Sequence, residues 1–138
     1  MIIISMLSCF AGQAQDQKDL TQIEEAVYQF VRFGDQQNAE ALDSVLHPHF
    51  RAVVNRLFGS EEVSLMDKNS YLQLVRDRKI GGDKRQVYLL AIDLVNNNAT
   101  VKAMFEGKKL RFTTFLSMVK SSDGQWQIVG DLPDISKV

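Results

Sequence analysis

The chain has 138 residues, enough for one domain around one hydrophobic core and too few for two ordinary domains. Apolar residues make up 45% and charged residues 24%, the balance of a globular protein rather than a disordered or fibrous one. With 16 basic and 17 acidic residues intermingled and a net charge of −1, there is no basic footprint for nucleic acid or an anionic membrane, and neither is expected as a partner.

Residues 1–14, MIIISMLSCFAGQA, carry no charge and end in small residues. This is the pattern of the apolar segment and cleavage region of a secretory signal peptide, with Gly12 and Ala14 at the small positions and a cut before Gln15. The basic start of such a peptide is absent, and the alternative is a buried N-terminal strand. A membrane span needs about 20 apolar residues, so no integral membrane segment is expected. Cys9 is the only cysteine. MLSC loosely resembles a lipoprotein box with Met6 where leucine is usual, so lipid anchoring through Cys9 is the lesser expectation. The expected mature chain, 15–138, is a single exported domain with no cysteine, which excludes disulfides, thiol catalysis and cysteine–zinc sites from it.

DLTQIEEAVYQFVRFGD predicts a helix, with Ile23, Val27, Phe30 and Val31 at helical spacing and Thr21 and Glu24 as a capping box. NAEALDSVL predicts a short second helix capped by Asn38, which Pro48 ends. FRAVVNRLF reads as a strand. SLMDKNSYLQLVRDRKIGG reads as a third helix capped near Asp67, with Tyr71, Leu72 and Val75 inward and Gly81 and Gly82 as the turn that follows. RQVYLLAIDLV, ATVKAMFEG, LRFTTFLSMVK and QWQIVGDL form a four-strand meander joined by short links. The expected fold is α+β, with three helices from the N-terminal half packed on a curved antiparallel sheet.

This order, together with Leu46, His47, Pro48 and Phe50, and then Phe112, Leu116, Asp123, Gly124, Trp126 and Ile128, resembles the nuclear-transport-factor-like superfamily of cone-shaped domains. Within it the chain is most similar to small bacterial proteins named for lumazine binding, near the polyketide-cyclase-like branch. The resemblance spans roughly residues 18–132. It implies a ligand pocket at the mouth of the cone, between sheet and helices, and homodimers through the open sheet face.

The two histidines flank Pro48 in LHPHF. A zinc ion would need a third and usually a fourth ligand, and no HExxH or acid–histidine cluster lies near, so no metal and no cofactor are expected. The segment reads as a helix-to-strand joint. His49 is a candidate base only through its neutral-range pKa, since no orienting partner is visible. Alternation puts Phe112, Thr114, Leu116 and Met118 on one face of their strand. Related proteins often read F-x-D-Y-L here; Thr114 and Phe115 replace the acid and the phenol, which removes the acid–base pair implied by the enzymatic relatives. Asp93 falls by strict alternation with Val87, Leu89 and Ala91, opposite Tyr88, Leu90, Ile92 and Leu94. Both sets are apolar, so the inward face stays open, and solvent is the default for a carboxylate. An inward Asp93 would be a second catalytic candidate.

The expected function is therefore binding of a small apolar or amphipathic molecule, without catalysis, by Thr114, Phe112, Leu116, Tyr28, Tyr71 and Arg56. The alternatives are an isomerase, dehydratase or cyclase using His49 or Asp93, and a protein-interaction module using the open sheet face.

Overall fold

The computed structural model describes the backbone of residues 2–138 and the side chains of residues 12–138. The anchoring site expected at Cys9 lies outside those side chains, as does most of the apolar run expected to form a signal peptide. In chain order the elements are α1 (Ile2–Asp35), α2 (Ala39–Val45), β1 (Leu46–Asn55), β2 (Val63–Asp67), α3 (Lys68–Arg76), β3 (Gln86–Val95), β4 (Asn98–Glu106), β5 (Leu110–Lys120) and β6 (Trp126–Lys137). They form one six-stranded sheet ordered β2-β1-β6-β5-β4-β3. β1 runs parallel to β6 and every other neighbouring pair is antiparallel, so the sheet is mixed rather than purely antiparallel as expected.

The core lies between the helices and one sheet face. Ile23, Val27, Phe30 and Val31 of α1 and Leu72 and Val75 of α3 are buried against Val101, Phe105, Leu116 and Ile128 of the sheet. Each such large apolar side chain contributes roughly 1.5–3 kcal/mol on burial. Asn38 caps α2 by accepting from the Ala41 amide at 3.1 Å. Asp67 caps α3 by accepting from the Ser70 amide at 2.8 Å. Gly81, with φ +85°, rests on the end of α1; a Cβ there would stand 2.2 Å from the Gly34 carbonyl oxygen. That close approach brings the chain from Asp83 to Arg85 alongside α1.

A second anchor joins α1 to the far end of the sheet. Asp19, only 2% exposed, pairs with Lys120 Nζ at 3.1 Å and accepts from Trp126 Nε1 at 3.1 Å. Burial works to raise its carboxyl pKa. The hydrogen bonds from Trp126, Lys120 and Gln15, with the Lys120 charge, outweigh that and hold it below the usual carboxylate range.

Several local expectations are corrected. Thr21 does not start a helix: α1 already runs through it, and its hydroxyl donates to the Gln17 carbonyl at 3.0 Å. The third helix is capped at Asp67 as expected, but the residues leading into it, Val63–Asp67, form an edge strand, β2, that was not among the expected elements and is paired to β1. The strand expected through Phe58 stops at Asn55, because Arg56 and Phe58 take left-handed φ values of 53° and 49° and turn the chain out.

Candidate functional site

LHPHF is the joint between α2 and β1, with α2 ending at Val45 and β1 beginning at Leu46. Leu46 pairs with Ile128 and Arg51 with Gly130, so five steps along β1 match two along β6 and the segment between them bulges out of register. Leu46 and Phe50 are buried at its ends, Pro48 and His49 are exposed, and His47 is partly buried. His47 Nδ1 accepts from the His49 amide at 3.1 Å, closing the bulge on itself. Among the described residues, no group of three or more His, Cys, Asp or Glu side chains is placed to hold a metal ion.

Asp93 is also at the surface. The register of β3 on β4 shifts between Leu89 and Ala91, so Val87 and Leu89 point inward before the bulge while Ile92 and Leu94 do so after it. The grouping of Asp93 with Val87, Leu89 and Ala91 on one face is thereby overturned by a single extra residue. With His49 and Asp93 both exposed, neither side chain faces the interior.

The interior face of β5 does carry Thr114, Leu116 and Met118, all buried. Thr114 donates a hydrogen bond to Asp131 Oδ1, in a contact that joins β5 to β6. Asp131 is 9% exposed, and burial pushes its carboxyl up to about 6 against the opposing pull of the Thr114 hydroxyl and the Arg85 charge. Tyr71, on α3, packs against Phe50 and Phe30, with ring centroids 5.2 and 6.3 Å away. Its phenol is raised by burial and by the charge of Asp131 and is lowered by Arg85. The carboxylate that the β5 pattern lacks is thus present on the neighbouring strand, hydrogen-bonded to the threonine that replaced it.

Asp131 had no visible signal in the sequence because its strand changes parity. Trp126 and Ile128 point inward, and continued alternation would turn Gly130 and Leu132 inward and Asp131 outward. Ser117 pairs with Gly130 and Met118 with Ile128, leaving Val129 as an extra residue that turns Asp131 into the core.

Arg85, the first residue of the strand expected at RQVYLLAIDLV, stands just before β3. Its Nε donates to Asp35 Oδ1 at 2.7 Å, its amide to Asp35 Oδ2 at 2.9 Å, and its guanidinium lies 5.0 and 5.6 Å from the ring centroids of Phe112 and Phe105. It also borders a cavity of about 680 Å³ between α1 and the start of β3, lined by Tyr28, Val31, Arg32, Asp35, Gln36, Asp83, Lys84, Arg85 and Val87. Of the expected ligand contacts, Tyr28 lines this cavity. Thr114, Leu116, Tyr71 and the half-buried Phe112 belong to the interior cluster instead. Arg56 is remote from both: it sits exposed in the turn after β1, its amide bonded to the Glu62 carbonyl at 2.8 Å. Arg85 is therefore the residue common to the cavity and to the field around Asp131 and Tyr71. Its partner Asp35 lies fifty positions away, a pairing no local pattern records.

A family model described as "Putative lumazine-binding" matches residues 18–132. No curated protein sequence matches the chain. Among solved structures, the chain is similar to an NTF-2 like protein of unknown function from Silicibacter pomeroyi, with a TM-score of 0.76 and 15% identity over 88% of this chain and 98% of that one. It is similar to an NTF2-like protein from Cytophaga hutchinsonii, with a TM-score of 0.68 and 17% identity over 87% and 98%. A ketosteroid isomerase-like protein from Erwinia carotovora atroseptica gives a TM-score of 0.65 and 14% identity over 87% and 96%. These likenesses establish the cone fold that the sequence resemblance implied.

Proposed function

The chain belongs to the family described as "Putative lumazine-binding", with the NTF2-like fold, and from that footing we propose that it binds a small amphipathic molecule without transforming it. The observation that carries this reading is the cavity of about 680 Å³ ending on Arg85, a size within the range of roughly 300–1,000 Å³ typical of small-molecule sites. Val31 and Val87 supply apolar wall, Tyr28 and Gln36 supply polar contacts, and Arg85 links the site to the Thr114–Asp131 pair.

Export, with cleavage before Gln15, belongs to the same proposal. Residues 12–18 are exposed and Asp19 is the first buried side chain described, so a chain beginning at Gln15 keeps every described core contact. A homodimer through the open sheet face is supported by Tyr88, Leu90, Phe115 and Leu132, which are large, apolar and exposed on β3, β5 and β6.

Native mass spectrometry of gently purified protein tests the reading. The expected spectrum shows a chain starting at Gln15, paired, with a retained small molecule, and the Val87→Trp variant, which fills the cavity, loses that mass while staying folded. Retention of the same mass by Val87→Trp excludes this cavity as the binding site.

One observation favours a second reading, acid–base catalysis on a small hydrophobic substrate: Asp131 is a carboxyl buried on the interior face of the sheet, where burial pushes its pKa up to about 6. One of the similar structures is described as ketosteroid isomerase-like. Catalysis by Asp131 predicts a rate that rises as pH passes about 6 and vanishes in Asp131→Asn. A substrate turned over equally well by that variant removes this reading.

A further inference from the structure

The charges around the cavity between α1 and β3 are unevenly used. Asp35 is committed to Arg85 through two hydrogen bonds, and both groups are largely buried. Asp83 is committed to the backbone, accepting from the Lys84 amide at 2.7 Å and the Lys108 amide at 3.0 Å. Gly107 presses so closely on Asp83 that a Cβ there would stand 2.0 Å from Oδ2, which fixes the carboxylate in place. With three cations, Arg32, Lys84 and Arg85, to its two acids the lining carries one net positive charge, and both acids are held by groups built into the wall.

The two remaining cations are not. Among the described residues, neither Arg32 nor Lys84 has an acidic partner; Arg32 lies over the Phe33 ring at 5.2 Å and both side chains are exposed. Two unpartnered positive charges at the lip of a concave cavity focus a positive potential into it. Val31, Val87 and the exposed ring of Tyr28 give the same cavity an apolar and aromatic surface.

We infer that the ligand of this cavity is an anion, a small aromatic or apolar body bearing a carboxylate or an equivalent group, whose charge is held between Arg32 and Lys84; the inference rests on the binding function proposed above. Arg85 is not the anion's receptor, because its charge is already paired with Asp35 through Nε and its Nη2 donates to the Val31 carbonyl.

The test is an NMR titration of isotope-labelled protein with two probes of the same shape, naphthoate and the neutral naphthylmethanol. Naphthoate is expected to shift the amides of Arg32, Lys84 and Val87 saturably and to bind about tenfold tighter than the alcohol, the sum of two partly exposed ion pairs. In the Arg32→Gln, Lys84→Gln double variant the two probes should bind alike, with the thermal midpoint unchanged because both side chains are exposed. Equal binding of both probes to the unaltered protein overturns the anion preference and leaves the cavity a binding site. Saturable shifts that avoid these three residues, or none with either probe, overturn both the anion preference and the cavity as its seat.

Discussion

Two carboxylates are buried against the same sheet, and they are treated in opposite ways. Asp19, where α1 meets β5 and β6, has a lysine, an indole N–H and a glutamine amide around it, and its pKa is driven down. Asp131, deeper in the cone, has the Thr114 hydroxyl as its hydrogen-bond partner among the described residues, and its pKa is driven up to about 6. Burial penalises both charges, much more at Asp131, and the two differ as well in the supply of donors and in how directly a cation is paired with them. A fully compensated buried carboxylate fastens structure. A poorly compensated one is held at a cost to the fold, and such a cost is retained where a site needs the group.

The comparison breaks most visibly at Lys120. Lys120→Met strips the cation from Asp19 and leaves a buried charge, an arrangement that costs about 3 kcal/mol when one partner of a buried pair is removed. Urea unfolding at pH 7 should show that loss, and it should shrink in acid as Asp19 protonates. The sign follows from the lowered pKa: the stabilisation by Asp19 is present above 3.8, its unfolded value, and is lost as pH falls through its lower folded value. A variant as stable as the parent at pH 7 would falsify the view that this corner is an anchor.

A smaller effect is expected at the other acid. Thr114→Val keeps the shape of the side chain and removes the hydroxyl that favours the charged form of Asp131. The Asp131 carboxyl should titrate above 6 in that variant, followed by carboxyl-carbon NMR. The cost should be about 2 kcal/mol at pH 8, where the lost hydrogen bond is to a charged group, and about half that at pH 4. A titration unmoved by the substitution separates Thr114 from Asp131.

The same contrast explains how far the sequence could be read. Regular elements were legible: β4 buries Ala99, Val101, Ala103 and Phe105 in strict alternation, and α1 buries Ile23, Val27, Phe30 and Val31 at helical spacing. So was LHPHF as a joint, since Pro48 forbids the helix from continuing. The interior acid was not, because one extra residue at Val129 inverts which side chains of β6 face inward. The bulge in β3 between Leu89 and Ala91 broke the grouping around Asp93 in the same way. Bulges are set by how two strands meet, and the sequence of one strand does not contain that information. The Arg85–Asp35 pair escaped for a related reason: it depends on Gly81 seating the α3–β3 segment against α1, a contact between distant parts of the chain.

The smallest expected change has the opposite sign from the others. Asp131 binds its proton more tightly folded, at about 6, than unfolded, at 3.8, so its contribution to stability is fully present below 3.8 and is lost as pH rises through 6. Above that pH the native state bears a charge it solvates poorly, a penalty on the order of 3 kcal/mol for two pKa units. Asp131→Asn removes the charge but leaves an amide N–H₂ with no donor site prepared for it, which offsets part of the gain. The net result should be a protein about 1 kcal/mol more stable at pH 8 and no more stable than the parent at pH 4. Unfolding curves at the two pH values decide it. A gain confined to high pH shows that the fold carries Asp131 at its own expense, as a working group would be carried. A loss at both pH values places Asp131 beside Asp19, as one more structural fastening, and withdraws the strongest argument for chemistry in this cone.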